Sequence, residues 1–185
     1  MGHERLNGGK RMEDKKMVKE KKEDKETRKQ KEKMLLQFES YSWNESFARV
    51  TVAAYLARLD PTVEEMEDVK TAVSEAVTNA VVHGYEDCVG KITVEAEIDE
   101  MLFTVKIHDD GCGIVDIKKA MEPLYTGKPQ SERSGMGFSF MEAFMDEVKV
   151  ESMPGKGTTV IMKKKIRRSL NGSNDPVNRG GTQRG

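Results

Sequence analysis

The stretch Lys70–Asp109, KTAVSEAVTNAVVHGYEDCVGKITVEAEIDEMLFTVKIHD, changes its hydrophobic period halfway along, and that change decides the fold. Met66, Val69, Val73, Val77, Ala80 and Val81 recur every three or four residues and predict one apolar stripe of a helix. Thr62 and Glu65 have the spacing of a capping box at its start, and Gly84 follows His83 as its C-terminal break. From Lys91 the period falls to two. KITVEAEI and MLFTVKIHD alternate on either side of Asp99-Glu100 and read as a β-hairpin. Upstream, MLLQFES predicts a strand through Leu36 and Phe38. Ser42 and Glu45 then offer a second capping box, and Phe47, Val50, Ala54 and Leu59 carry a helical pattern as far as Asp60-Pro61. Downstream come a loop-rich stretch from Gly111 to Gly137, a helix over FSFMEAFMDE, and strands at VKVES and GTTVIMKK joined by Pro154-Gly155. Strand, two helices, two strands, loop, helix, two strands is the order of an α+β two-layer sandwich. Its helices pack on one face of a mixed, mostly antiparallel sheet.

The 185 residues balance 31 Lys+Arg against 32 Asp+Glu, but the balance is a partition. Residues 1–33 hold thirteen basic and eight acidic side chains, residues 34–162 eleven and twenty-three, and residues 163–185 seven and one. The ends are poor in apolar residues and cannot offset the entropy of ordering themselves, so 1–33 and 165–185 are expected to be charged, disordered tails around a domain at 34–164. No apolar run approaches the ~20 residues that span a bilayer, and the N-terminus has no signal-peptide core; a cytoplasmic protein is the expectation. Cys88 and Cys112 lack zinc-ligand spacing and read as free thiols. The acidic body would repel nucleic-acid phosphates, so no direct nucleic-acid contact is expected of it.

Three places could carry chemistry. Between Lys70 and Glu86 the only fully charged residue is Glu75, and Glu75, Asn79 and His83 follow at i, i+4 and i+8 in one row beside the stripe. Such a row either faces solvent or covers something; a carboxylate and a carboxamide one turn apart can orient a hydroxyl and complete an oxygen shell around Mg²⁺. HDDGCGI ends a strand, where Gly111 and Gly113 allow a tight turn or the close approach of a flat ligand, and Asp109 or Asp110 offers an acceptor for an exocyclic amine. In ERSGMGF, Gly135 and Gly137 open a helix whose free N–H groups can receive an anion, with Arg133 just ahead. There is no P-loop, dinucleotide fingerprint, G-x-S-x-G or H-E-x-x-H, and neither His3, His83 nor His108 stands as a helical phosphoacceptor.

The order E-x-x-x-N-x-x-x-H-G, D-x-G-x-G, S-G-M-G-F and G-T-T resembles the nucleotide-binding domain of the GHKL superfamily of histidine kinases, gyrase and Hsp90 chaperones. NESFARVTVAAYLARLDPT, SEAVTNAVVHGY and PLYTGKPQSERSGMGFSFMEAFMDEVKVES further resemble the anti-sigma F family of spore-forming bacteria, from about Met34 to Lys164. The resemblance implies a serine-protein kinase that uses ATP, yields ADP and needs Mg²⁺. It implies inhibition of a sporulation sigma factor (sigma F), phosphorylation of a serine on an anti-anti-sigma factor, and a homodimer. A switch kinase of a general-stress sigma factor and a nucleotide-gated binding module without kinase activity are the alternatives. By the same resemblance Glu75 activates the attacking hydroxyl, Asn79 ligates Mg²⁺, and Asp109 reads the adenine amine in a pocket shaped by Gly111 and Gly113 and supported by Thr159. Residues 123–134 are the implied lid over the phosphates, with Thr126, Lys128 and Ser134 in it and Arg133 near the γ-phosphate. Gly135 and Gly137 give backbone donors, and Arg49 grips protein partners. Gly127 stands where the family has a second Thr, Cys112 and His108 are local variations, and about thirty residues before Met34 have no counterpart.

Overall fold

The computed structural model of the chain describes residues 31–86, 88–122 and 135–167. Strand β1 spans Glu32–Glu39, β2 Lys91–Asp99, β3 Leu102–Asp109, β4 Glu147–Ser152 and β5 Thr158–Lys165; helix α1 spans Asn44–Leu56, α2 Val63–Asn79, α3 Ile117–Ala120 and α4 Gly137–Phe144. The strands form one sheet in the order β1-β2-β3-β5-β4, and every neighbouring pair is antiparallel. Most of the two expected tails lies outside the described residues, but residues 31–33 and 165–167 do not: Glu32 and Lys33 open β1, Lys165 ends β5, and residues 166–167 follow it. Lys31 reaches Glu97 (2.9 Å) and Asp99 (3.3 Å), and Lys33 reaches Glu97 (3.4 Å), which ties the first part of β1 to β2.

Alternation puts Ile92, Val94, Ala96 and Ile98 of β2, Phe103, Val105 and Ile107 of β3, and Val160 and Met162 of β5 on the inner face. Helix α2 lays Val69, Val73 and Val77 into the same core, as its stripe predicts, together with Ala72 and Ala76 from outside that stripe, and α1 and α4 both pack against it. Its capping box is complete: Thr62 Oγ1 accepts from the Glu65 amide (3.2 Å), and Glu65 Oε2 accepts from the Thr62 amide (2.9 Å). Glu65 Oε1 also accepts from the Arg167 amide (2.8 Å), which anchors the chain beyond β5 to the start of α2. Burial disfavours the charge on Glu65, but the amides of Arg167 and Thr62 outweigh it and hold its carboxyl below the ordinary glutamate range.

Helix α1 departs from expectation in phase. Ala48, Val52 and Leu56 are its buried face, whereas Phe47 and Val50 are 53% and 61% exposed and Ala54 is exposed as well. The helix begins at Asn44 with Trp43 as its cap, so Ser42 lies one position too early to close a box with Glu45. Tyr41 and Trp43 stack at 4.5 Å and the Asn44 side chain donates to the Glu39 carbonyl (2.8 Å), which fixes this later start. Helix α4 likewise stops at Phe144 rather than running to Glu147, because Met145 is already extended and leads into β4.

Candidate functional site

Between α2, the β3 end, α3 and the start of α4 lies a cavity of about 810 Å³, within the ordinary range for a small-molecule site. Glu75 and Asn79 form part of its wall, so the second side of α2 faces a void rather than bulk water, which accounts for the scarcity of charge along it. Beyond Asn79 the helix widens into a π turn, Ala80–Gly84, a local form that recurs at functional sites, and His83 and Gly84 continue the wall. Gly137 begins α4 against this row: a Cβ there would stand 3.1 Å from Glu75 Oε2 and 3.2 Å from the Asn79 side chain, tighter than side chains normally pack. Gly135 and Met136 line the cavity just ahead of it, placing a helix start beside the carboxylate and carboxamide.

Asp109 lies at the other end, 4% exposed, where β3 gives way to its loop. One carboxylate oxygen accepts from the Gly111 amide (3.0 Å), and Ile107 and Val160 supply apolar wall beside it. Burial pushes the Asp109 carboxyl up, against amide hydrogen bonds from Gly111 and Thr158 that pull it down. Gly111 does not line the cavity. A Cβ on it would fall 2.2 Å from the Gly84 carbonyl oxygen, so glycine lets this loop close on the π turn. The Cys112 amide donates to that same carbonyl (3.0 Å) and its thiol to the His83 carbonyl (2.9 Å).

The structure thus brings Glu75, Asn79, Asp109, Gly113, Gly135 and Gly137 onto one cavity, with Gly111 directly behind. It does not bring Thr159 there. Thr158 pairs with Asp109 across the β3–β5 ladder and faces the cavity; alternation turns Thr159 to the opposite face, where its hydroxyl meets His108 Nδ1 (2.9 Å). Arg49 also stands apart, bridging α1 to α2 through Ser74 Oγ (3.3 Å) and pairing with Glu45 (3.3 Å). Thr126, Lys128, Arg133 and Ser134 lie outside the described residues. His83 continues the Glu75–Asn79 row on the wall, as its spacing suggests, whereas Thr158 is a wall residue that no motif marked and that could be chosen over Thr159 only once the strand register was known.

Among the described residues no group of three His, Cys, Asp or Glu could hold a metal, and none of the helices there is long and apolar enough to cross a membrane. A single carboxamide, Asn79, beside a start of helix fits Mg²⁺ held mainly by phosphates and water, because this ion commonly takes only one or two protein ligands.

Residues 44–164 match the family described as the histidine kinase-like ATPase domain. The chain is similar to the anti-sigma F factor of Clostridium acetobutylicum, 60% identical over 134 residues that cover 72% of this chain and 94% of that one. It is also similar to the anti-sigma F factor of Clostridium novyi, 58% identical over 136 residues that cover 73% and 95%. Among solved structures it is similar to the catalytic domain of histidine kinase ThkA, with 16% identity, a TM-score of 0.47, and 72% and 96% of the two chains covered.

Proposed function

We propose that this chain, which belongs to the anti-sigma F factor family of histidine kinase-like ATPase domains, is an ATP-dependent serine-protein kinase that also holds a sporulation sigma factor inactive. The observation that carries the reading is the single cavity that takes Glu75 and Asn79 from α2, the buried Asp109 from β3 and the glycine-rich start of α4 into one wall. Those groups match a nucleotide's two ends, with an acceptor for the adenine amine at Asp109 and donors for phosphate oxygens at Gly135 and Gly137.

In this reading Glu75 takes the proton of a seryl hydroxyl on the anti-anti-sigma substrate as the serine oxygen bonds to the γ-phosphorus and the bridging oxygen leaves with ADP. Asn79 would hold Mg²⁺, which neutralises charge on the phosphates when bound. Arg133, Thr126, Lys128 and Ser134 would act on the phosphates, and the γ-phosphate would serve as the switch for sigma-factor binding. Arg49 serves the protein partners and not the nucleotide, in a homodimer that works in the cytoplasm without touching nucleic acid.

Incubation with γ-labelled ATP and an anti-anti-sigma protein tests the reading. The wild-type chain should pass label to a serine, and Glu75→Gln should slow transfer by roughly 10²–10⁴-fold, the usual contribution of a general base, while still binding ATP. Transfer at the wild-type rate by Glu75→Gln would remove Glu75 from this role. ATP binding with no transfer by the wild type would make the chain a nucleotide-gated sigma-binding module.

A further inference from the structure

We infer that Tyr85 is a positioning residue for the base end of the cavity: its hydroxyl fastens the Asp109 loop to the end of α2 and thereby sets the preference for a nucleotide with an exocyclic amine. The inference rests on the proposed function in one respect, that the cavity takes an adenine nucleotide with its base at Asp109.

Tyr85 follows the π turn directly and is 8% exposed. Its hydroxyl donates to the Lys91 carbonyl (2.6 Å) and accepts from the Asp110 amide (2.7 Å). One proton given and one received join the Lys91 carbonyl and the Asp110 amide through a single hydroxyl. The positions of these groups matter more than their number. Asp110 follows Asp109, Tyr85 follows Gly84, and Lys91 opens β2, whose Ile92 pairs with Asp109 in the ladder. A Cβ on Gly84 would lie 2.8 Å from the Asp109 carboxylate, so these two residues are nearly in contact across the site. The Asp110 amide, bonded to Tyr85, and the Cys112 amide, bonded to the Gly84 carbonyl, hold the loop that follows Asp109 at two successive points. The ring itself has little freedom, since a Cβ on Gly90 would fall 2.0 Å from it.

Tyr85 is absent from the cavity wall, so any influence on the ligand passes through Asp109. Without the hydroxyl, two partly buried backbone groups lose their partner and the loop shifts to recover one. A hydrogen bond to a base amine weakens steeply with distance and angle, so a small shift of the carboxylate is felt as lost base preference before it is felt as lost phosphate binding.

The test is Tyr85→Phe in the full chain, with equilibrium binding of ATP and of inosine triphosphate measured by displacement of a fluorescent nucleotide in the presence of Mg²⁺. Inosine triphosphate carries a carbonyl where adenine carries its amine. The expected result is an ATP Kd raised about tenfold with that for inosine triphosphate changed by less than about twofold, so that the preference falls about tenfold. A purely structural role would weaken both nucleotides together and leave their ratio unchanged, and that outcome, like unchanged affinities, would overturn the inference. Should Tyr85→Phe fail to fold, amide exchange in the wild type decides: an Asp110 amide that exchanges slowly supports the clasp, and one as fast as an open loop overturns it. A wild type that binds neither nucleotide would overturn the adenine reading and this inference with it, a result distinct from a wild type that discriminates and a variant that does so equally.

Discussion

Helix α2 is buried along one side by Val69, Val73 and Val77 and lines the cavity along another with Glu75 and Asn79, whereas α1, packed beside it, leaves Trp43, Phe47 and Val50 at 67%, 53% and 61% exposure. Both helices follow a hydroxyl residue with a glutamate three positions on, and only α2 forms the reciprocal cap. The difference separates two tasks. The core, the cap and the candidate chemistry share one rigid helix, so a change in α2 is felt in stability and activity at once, while α1 rests on a narrow buried strip and keeps a broad apolar surface outside the site. Arg49, on that outer helix, meets α2 at Ser74, one residue before Glu75.

The largest effect that would break this division is chemical. Arg49→Ala should leave ATP affinity within about twofold in a binding titration and should lose the protein partner in a pull-down; a loss of ATP affinity comparable to that of a cavity-wall substitution would show that α1 belongs to the site. Next in size is packing. Leu56→Ala, which empties a fully buried position on α1, should cost about 2–5 kcal/mol in denaturant unfolding, against about 0.5 kcal/mol or less for Val50→Ser on the exposed face. Equal costs would mean that the buried face of α1 is misassigned.

Smaller still is the contrast between the caps. Thr62→Ala should cost about 1 kcal/mol and Ser42→Ala nearly nothing, again by equilibrium unfolding. The smallest effect is the pH dependence of that cap. Because the Glu65 carboxyl is held below its ordinary 4.5 in the folded chain, its contribution to stability is fully present above that value and is lost as pH falls through the lower folded pKa. Thermal unfolding of Glu65→Gln should therefore fall short of wild type at pH 7 and converge with it in acid. A gap that persists unchanged at low pH would assign the cost to packing instead of ionisation.

Much of this was legible in the residues. The period change between Val81 and Lys91 gave the long helix and the hairpin, whose turn falls at Glu100-Met101, one residue later than the Asp99-Glu100 expected, and Pro154-Gly155 placed the last strand pair. The cavity row was visible as a patch of helix without charge around Glu75 and Asn79. What stayed hidden depended on tertiary contacts. In α1 the exposed Phe47, Val50 and Ala54 interleave with the buried Ala48, Val52 and Leu56, and periodicity alone favours the larger side chains. Thr158 and Thr159 differ only in which side of β5 they face, which pairing with Asp109 decides. Tyr85 gave no motif at all, because both its partners are backbone groups.

The bond from the Arg167 amide to Glu65 has a practical corollary. Glu65 stands ten residues before Glu75 on the same helix, about 15 Å along its axis at 1.5 Å per residue. A dye or a surface tether attached at the exposed Arg167 would therefore hang from the far end of α2 and leave the mouth of the cavity clear for optical or immobilised assays.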